Sequence, residues 1–207
     1  MKHITRFEAT QKLQTIIGKD LRKLAQIHGI TVFKNGKLNK GWAGLTLERA
    51  IGIGPDCRQA SNGDFWELKL VPLTKKTNGH WKVKETMAIT MINPKEVSQT
   101  PFEESHLFNK MRKMIICARA RINSEETSSQ LVYVNSFDLL ATNFWQQIKK
   151  DYQTVQQVIN QKDFHALTGK MGQLIQPRTK GVGHGSQTRA FYARVSFLET
   201  IFGIRET

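Results

Sequence analysis

The sequence predicts a mixed α/β fold, a central mixed β-sheet flanked by helices, and three observations predict it. Apolar residues recur at helical spacing near both ends of the chain, while Asn-Gly pairs punctuate alternating, β-branched stretches in the middle. Of 207 residues 39% are apolar, with 15 glycines besides, the ordinary proportion for a chain that packs a core. The length suits a single domain over 1–207, with a helical and hairpin part over about 1–100 and a second part over about 101–207.

In chain order, Leu13, Ile16, Ile17, Leu21, Leu24, Ala25 and Ile27 predict a helical hairpin over Phe7–His28. Gly18 ends its first arm, Asp20 caps its second, and Gly29 closes it. A short extended piece over 30–33 leads into the turn Asn35-Gly36, and Trp42, Leu45, Leu47 and Ala50 predict a third helix ending near Gly52. Residues 51–73 read as a β-hairpin about Asn62-Gly63, a strong two-residue turn signal. A second Asn-Gly, at Asn78-Gly79, starts a strand that alternates from Trp81 to Met91 beside that hairpin. A helix over Glu104–Ala120 runs into a short strand at its end, residues 131–137 form another strand, and Asn143–Ile159 is helical. A polar helix or loop follows to Gly172, then a basic, glycine-rich segment and an apolar close.

Lys and Arg number 31 against 17 Asp and Glu, a net charge of +14. An excess of that size calls for a polyanionic partner. Cys57 and Cys117 are the two cysteines, and neither has Cys or His at ligand spacing, which excludes a disulfide framework and a structural zinc site. No run approaches the roughly 18 apolar residues of a membrane span, and the first ten residues lack an apolar signal region. A reduced, cytoplasmic protein without a membrane partner is expected.

The sharpest local signal is Pro55-Asp56, an Asn-Gly turn, then Glu67-Leu68-Lys69. Glu67 and Lys69, two apart, share one face of a strand. Two carboxylates plus a phosphate oxygen form the hard-oxygen set that Mg²⁺ prefers, and a lysine beside them orients an attacking water. A Glu-x-Lys triplet alone arises about once by chance in a chain this long; the charge, the Pro-Asp and Glu48 on the preceding helix give it weight. Asp64 is an alternative ligand to Asp56, although its place directly after Asn-Gly is that of a turn residue.

Lys110, Arg112 and Lys113 form a basic run suited to a phosphate backbone. From Lys180 to Ser186 the chain is glycine-rich, yet no Gly-Lys-Ser/Thr follows and no strand clearly precedes it, so it is not a nucleotide-binding loop. Arg178, Lys180, His184, Ser186, Gln187, Arg189 and Arg194 supply donors and acceptors for base edges or phosphates, and the glycines permit close backbone approach.

Together these residues resemble the MutH-type mismatch-repair nickases and the GATC-cutting restriction endonucleases related to them, in the PD-(D/E)xK nuclease superfamily. The resemblance spans most of the chain. Its carriers are Lys40-Gly41-Trp42-Ala43-Gly44 through Leu47-Glu48-Arg49-Ala50 and Gly52, the Glu67-Leu68-Lys69 strand with Pro72, and Glu85-Thr86. Ser105-His106 with Lys110, and Thr179-Lys180-Gly181 followed by Arg189-Ala190-Phe191, are similar to the family's catalytic-support and DNA-reading segments.

The resemblance implies a restriction-endonuclease-like core with a cleft for double-stranded DNA. Glu48, Asp56, Glu67, Lys69 and Lys110 are the catalytic set it implies, with Mg²⁺ on Asp56 and Glu67. The family's Asp usually stands seven residues before the Glu, and here that position is Ala60; Asp56 keeps the Pro-Asp pattern with a longer hairpin. The segment after Lys180-Gly181 also departs, reading Val182-Gly183-His184-Gly185-Ser186, so the target need not be GATC. The C-terminal pieces are closer to the restriction branch. The expectation is a type II restriction enzyme, a monomer or weak homodimer, with a cognate DNA methyltransferase in the same system. The alternatives are a methyl-directed nickase and a non-catalytic DNA-binding module.

Overall fold

A computed structural model describes residues 4–54, 65–121, 127–161, 163–181 and 187–204. They divide into two compact units, one formed by 1–84 and 114–137, the other by 85–113 and 138–207.

The first unit opens with helix α1 (Arg6–Gln14), whose N-cap Thr5 and Glu8 form a reciprocal capping box. Helix α2 (Leu21–Ile27) starts as expected at Asp20, whose carboxylate accepts from the Arg22 N–H. Strands β1 (Phe33–Lys34) and β2 (Lys37–Leu38) form a two-residue hairpin in which Asn35 and Gly36 have φ of 50° and 72°. Both central residues of such a turn need positive φ, which is why Asn-Gly sits there. Helix α3 (Trp42–Ala50) follows and buries Trp42, Ala43 and Leu47.

Strand β3 (Glu67–Lys75) pairs antiparallel with β4 (Trp81–Val83) and parallel with β6 (Lys113–Arg121), and β7 (Ser129–Asp138) completes a mixed sheet of order β4-β3-β6-β7. Pairing with β4 begins at Leu73; Pro72, with no N–H to donate, marks where it stops. Helices α1 to α3 cover one face of the sheet. Their Leu13, Leu21, Ala25, Trp42, Leu47 and Ile51 pack with Ile115, Cys117 and Leu131, and with the half-buried Leu68 and Leu70. Alternation then puts Glu67 and Lys69 on the opposite face.

The second unit contains β5 (Met87–Met91), α4 (Pro94–Gln99), α5 (His106–Met111), α6 (Phe144–Gln161), β8 (Ile175–Thr179), β9 (Arg189–Ala193) and α7 (Val195–Phe202). Its sheet is antiparallel, in the order β5-β9-β8. From α6, Ile148, Tyr152 and Val155 are buried, and the Tyr152 ring stacks on Phe191 at 5.8 Å. The loop before β8 is held by two charged side chains. Asp151 accepts from the N–H groups of Gln173, Leu174 and Ile175 and from the Gln147 amide. Arg194 donates to the carbonyls of Gly169, Met171 and Gly172.

Three sequence expectations change and one is left untested. The hairpin about Asn62-Gly63 falls on residues 55–64, outside the described residues. The single strand over Trp81–Met91 is two strands in different sheets, because the chain turns away after Lys84. The helix over Glu104–Ala120 is six residues long, and β6 starts at Lys113. The β-branched pair Ile115-Ile116 and the inter-strand position of β6 outweigh the helical spacing of Met111, Met114 and Ile115. A strand, β8, does precede the glycine-rich segment, which connects the hairpin β8–β9. Helix α4 was not expected, although Asn93 caps it and Pro94 occupies its first turn, the usual start signals.

Candidate active site

Glu67 opens β3 and Lys69 follows on the same face, with the Lys69 Nζ 3.9 Å from the Glu67 Oε2. This is an ion pair looser than a hydrogen bond, and it keeps a cation and a carboxylate in one small volume. Leu68 pairs across with Ile115 and Leu70 with Cys117, so packing of these two against the helical face fixes the register that turns Glu67 and Lys69 the other way. The Glu67 side chain is 12% exposed and that of Lys69 24%, accessible from solvent yet shielded enough for charges to act strongly on one another.

Glu48 comes from the last turn of α3, which packs against β3. Burial raises its pKa above the ordinary carboxylate value, the Arg49 guanidinium opposes that shift, and the Glu67 carboxylate adds to it. Glu48 and Glu67 therefore act on each other through space. Among the described residues the Glu48 carboxylate accepts no hydrogen bond. A carboxylate whose ionisation is made costlier by burial and by a neighbouring carboxylate, with a lysine close by, is an arrangement a cation relieves.

The exit of α3 is pinned on both sides. Lys12 donates to the Ile51 carbonyl at 3.1 Å, Arg49 to the Ile53 carbonyl at 2.7 Å, and the Ile53 N–H to the Glu48 carbonyl at 2.8 Å. Lys12 was not singled out from the sequence, and Arg49 entered only as part of the Leu47–Ala50 segment that carries the resemblance.

Mg²⁺ takes hard oxygen ligands, and the carboxylates of Glu48 and Glu67 are of that kind. No group of three metal-ligating side chains occurs among the described residues. Asp56 and its alternative Asp64 lie outside them, so the donors present fit a divalent cation as a partial set.

Of the other expected residues, Lys110 lies in the last turn of α5, Arg112 is its exposed C-cap, and Lys113 opens β6. Arg178 ends in β8, where its Nη1 donates to the Thr86 hydroxyl at 2.8 Å and its guanidinium lies over the Tyr192 ring. Lys180 follows β8 directly, its N–H bonded to the Thr188 carbonyl, and Arg189 pairs with Thr179 at the start of β9. Gln187 is exposed at the same mouth of the hairpin. His184 and Ser186 lie outside the described residues. Arg194 carries the loop-holding bonds given above, a structural duty beside the DNA contact expected of it.

A family domain described as DNA mismatch repair enzyme MutH matches residues 55–157. The DNA mismatch repair protein MutH of Shewanella woodyi is 25% identical, covering 95% of this chain and 92% of that protein. Its counterpart in Pasteurella multocida is 22% identical, with 98% and 92% covered. The type II restriction enzyme Sau3AI of Staphylococcus aureus is 22% identical over 98% of this chain and 41% of its own length.

Proposed function

We infer from these comparisons that the chain belongs to the MutH-like family, and we propose that it is a sequence-specific, Mg²⁺-dependent endonuclease of double-stranded DNA, cutting in the manner of a type II restriction enzyme. The observation that carries the reading is the Glu67–Lys69 pair on one face of β3 with the Glu48 carboxylate acting on it. Asp56 and Glu67 are the proposed metal ligands, and the bound cation would supply Lewis-acid polarisation of the scissile phosphate.

The residues of the chain do the rest. Lys69 places a positive charge where a water approaches phosphorus and where charge grows on the phosphoryl oxygens. Glu48, whose affinity for a proton is raised by burial and by Glu67, is suited to accept the proton of that water. The bond broken is that to the leaving 3′ oxygen. Lys110, Arg112 and Lys113 are proposed to grip the phosphate backbone. Arg178, Lys180, His184, Ser186, Gln187, Arg189 and Arg194 are proposed to hold and read the duplex.

A second reading, a methyl-directed strand-nicking enzyme, is favoured by the coverage: the relatives named MutH are matched over 92% of their length, the restriction enzyme over 41%. Incubation with supercoiled plasmids of known methylation, with Mg²⁺ or EDTA, separates the two. Discrete linear fragments only with Mg²⁺ support the first reading and open circles the second. Retarded but intact plasmid overturns the first reading and leaves a binding module or a nickase that lacks its activator.

A further inference from the structure

Strand β3 continues past the active-site residues into a ribbon that the proposed mechanism leaves unused. Between Val71 and Lys84 the sequence has lysines at 75, 76, 82 and 84, His80, and no acidic residue. The ribbon thus contributes +4 to a net charge of +14. All four lysines are exposed. The hairpin is well formed: Leu73 pairs with Val83, Thr74 with Lys82 and Lys75 with Trp81, and the Lys76 N–H donates to the His80 carbonyl across the turn.

Register sorts the cations. Lys75 and Trp81 lie on the face of the buried Leu73 and Val83, one step further out, and the Lys75 ammonium sits over the indole ring at 5.2 Å. Lys82 and Lys84 lie on the other face, and Lys76 is at the turn. Cations thus edge both faces of a two-stranded ribbon, the shape the DNA major groove admits, with phosphates on either wall.

We infer that the β3–β4 ribbon is a second contact surface for duplex DNA, gripping phosphates away from the point of cleavage. The inference rests on the endonuclease reading and assigns the ribbon its flanking contacts. Glu67 and Lys75 are eight residues apart on one strand, about 26 Å. Along B-DNA at 3.4 Å per base pair that is about seven or eight base pairs. The same strand therefore sets the site of chemistry and the reach of the flanking grip. Lysines on an edge strand also discourage strand-to-strand association. That role predicts aggregation on neutralisation and no effect on DNA.

The test is the salt dependence of binding of the full-length protein to a labelled 30-base-pair duplex of arbitrary sequence, in EDTA, by fluorescence anisotropy. K76Q/K82Q/K84Q is expected to lower the slope of log affinity against log salt by about 2 to 3, as loss of three phosphate contacts requires. K76R/K82R/K84R is expected to keep it. A control that removes three exposed lysines of the other unit, K95Q/K150Q/K170Q, is expected to change it by less than about 1. Equal slopes for the two neutralised triples overturn the inference, as does a ribbon triple that self-associates but keeps the parental slope. If the parent cuts plasmid and the ribbon triple is indistinguishable from it in slope, only the ribbon fails. If the parent neither binds nor cuts duplex DNA, the endonuclease reading fails with it.

Discussion

Asp151 is 2% exposed and its carboxylate takes four hydrogen bonds, three from the backbone of residues 173–175 and one from Gln147. Glu48 and Glu67 are only half-buried, they repel each other, and the cations at hand are Lys69 beside Glu67 and Arg49 beside Glu48. A buried carboxylate is tolerated when donors saturate it. In the second unit that condition is met and the charge fastens a loop. In the first unit the Glu67 carboxylate makes ionisation of Glu48 costlier, and we read that pair as kept for a ligand.

The contrast breaks most sharply on activity. Glu67→Gln is expected to lower plasmid cleavage by about 10²–10³, with a thermal midpoint equal to or above that of the parent, because it removes a like-charge neighbour of Glu48; gel assay and calorimetry check the two halves. Asp151→Ala should do the reverse in kind. It leaves three backbone donors without their acceptor and is expected to cost about 3 kcal/mol or more in stability, read by urea titration. Gly172 sharpens the same point at lower cost. It has φ of 75°, and a Cβ there would lie 2.0 Å from the Ile175 carbonyl oxygen, so Gly172→Ala is expected to lose about 1–3 kcal/mol.

The smallest effect concerns Cys117, buried in β6, whose pKa burial pushes up to about 12. A thiol is the unreactive form. In a Cys57→Ser background the native protein is expected to resist iodoacetamide at pH 9 and to react only on unfolding. Labelling at the rate of a free thiol would contradict the packing of the first unit.

Much of the first unit was legible because local chemistry decides it. Asp20 caps, Asn35-Gly36 turns and the apolar spacing of α1 to α3 act within a few residues. The Glu67–Lys69 face was legible for the same reason, since strand alternation is local. What escaped depends on distant partners. Trp81 to Met91 alternates throughout, but which sheet each half joins is set by β3 and by β9, far away in sequence. The stretch around Met114 satisfies a helical and a strand period alike, and its place beside β3 decides between them. The proximity of Glu48 to Glu67 depends on the packing of α3 on β3, which no spacing encodes. Asp151 gave no signal of its structural role, because its three backbone donors lie 22 to 24 residues further on. The lysines of the β3–β4 ribbon did have a signal, a run of cations without acids around Asn78-Gly79.

Strand β3 is proposed to carry the chemistry. The most direct measurement is Mg²⁺-dependent cleavage of supercoiled plasmid by Lys69→Ala, run beside its thermal unfolding and its affinity for duplex DNA. An unchanged midpoint, retained binding and cleavage lowered by about 10²–10³ are expected. Cleavage at the parental rate by a folded Lys69→Ala protein would contradict that proposal.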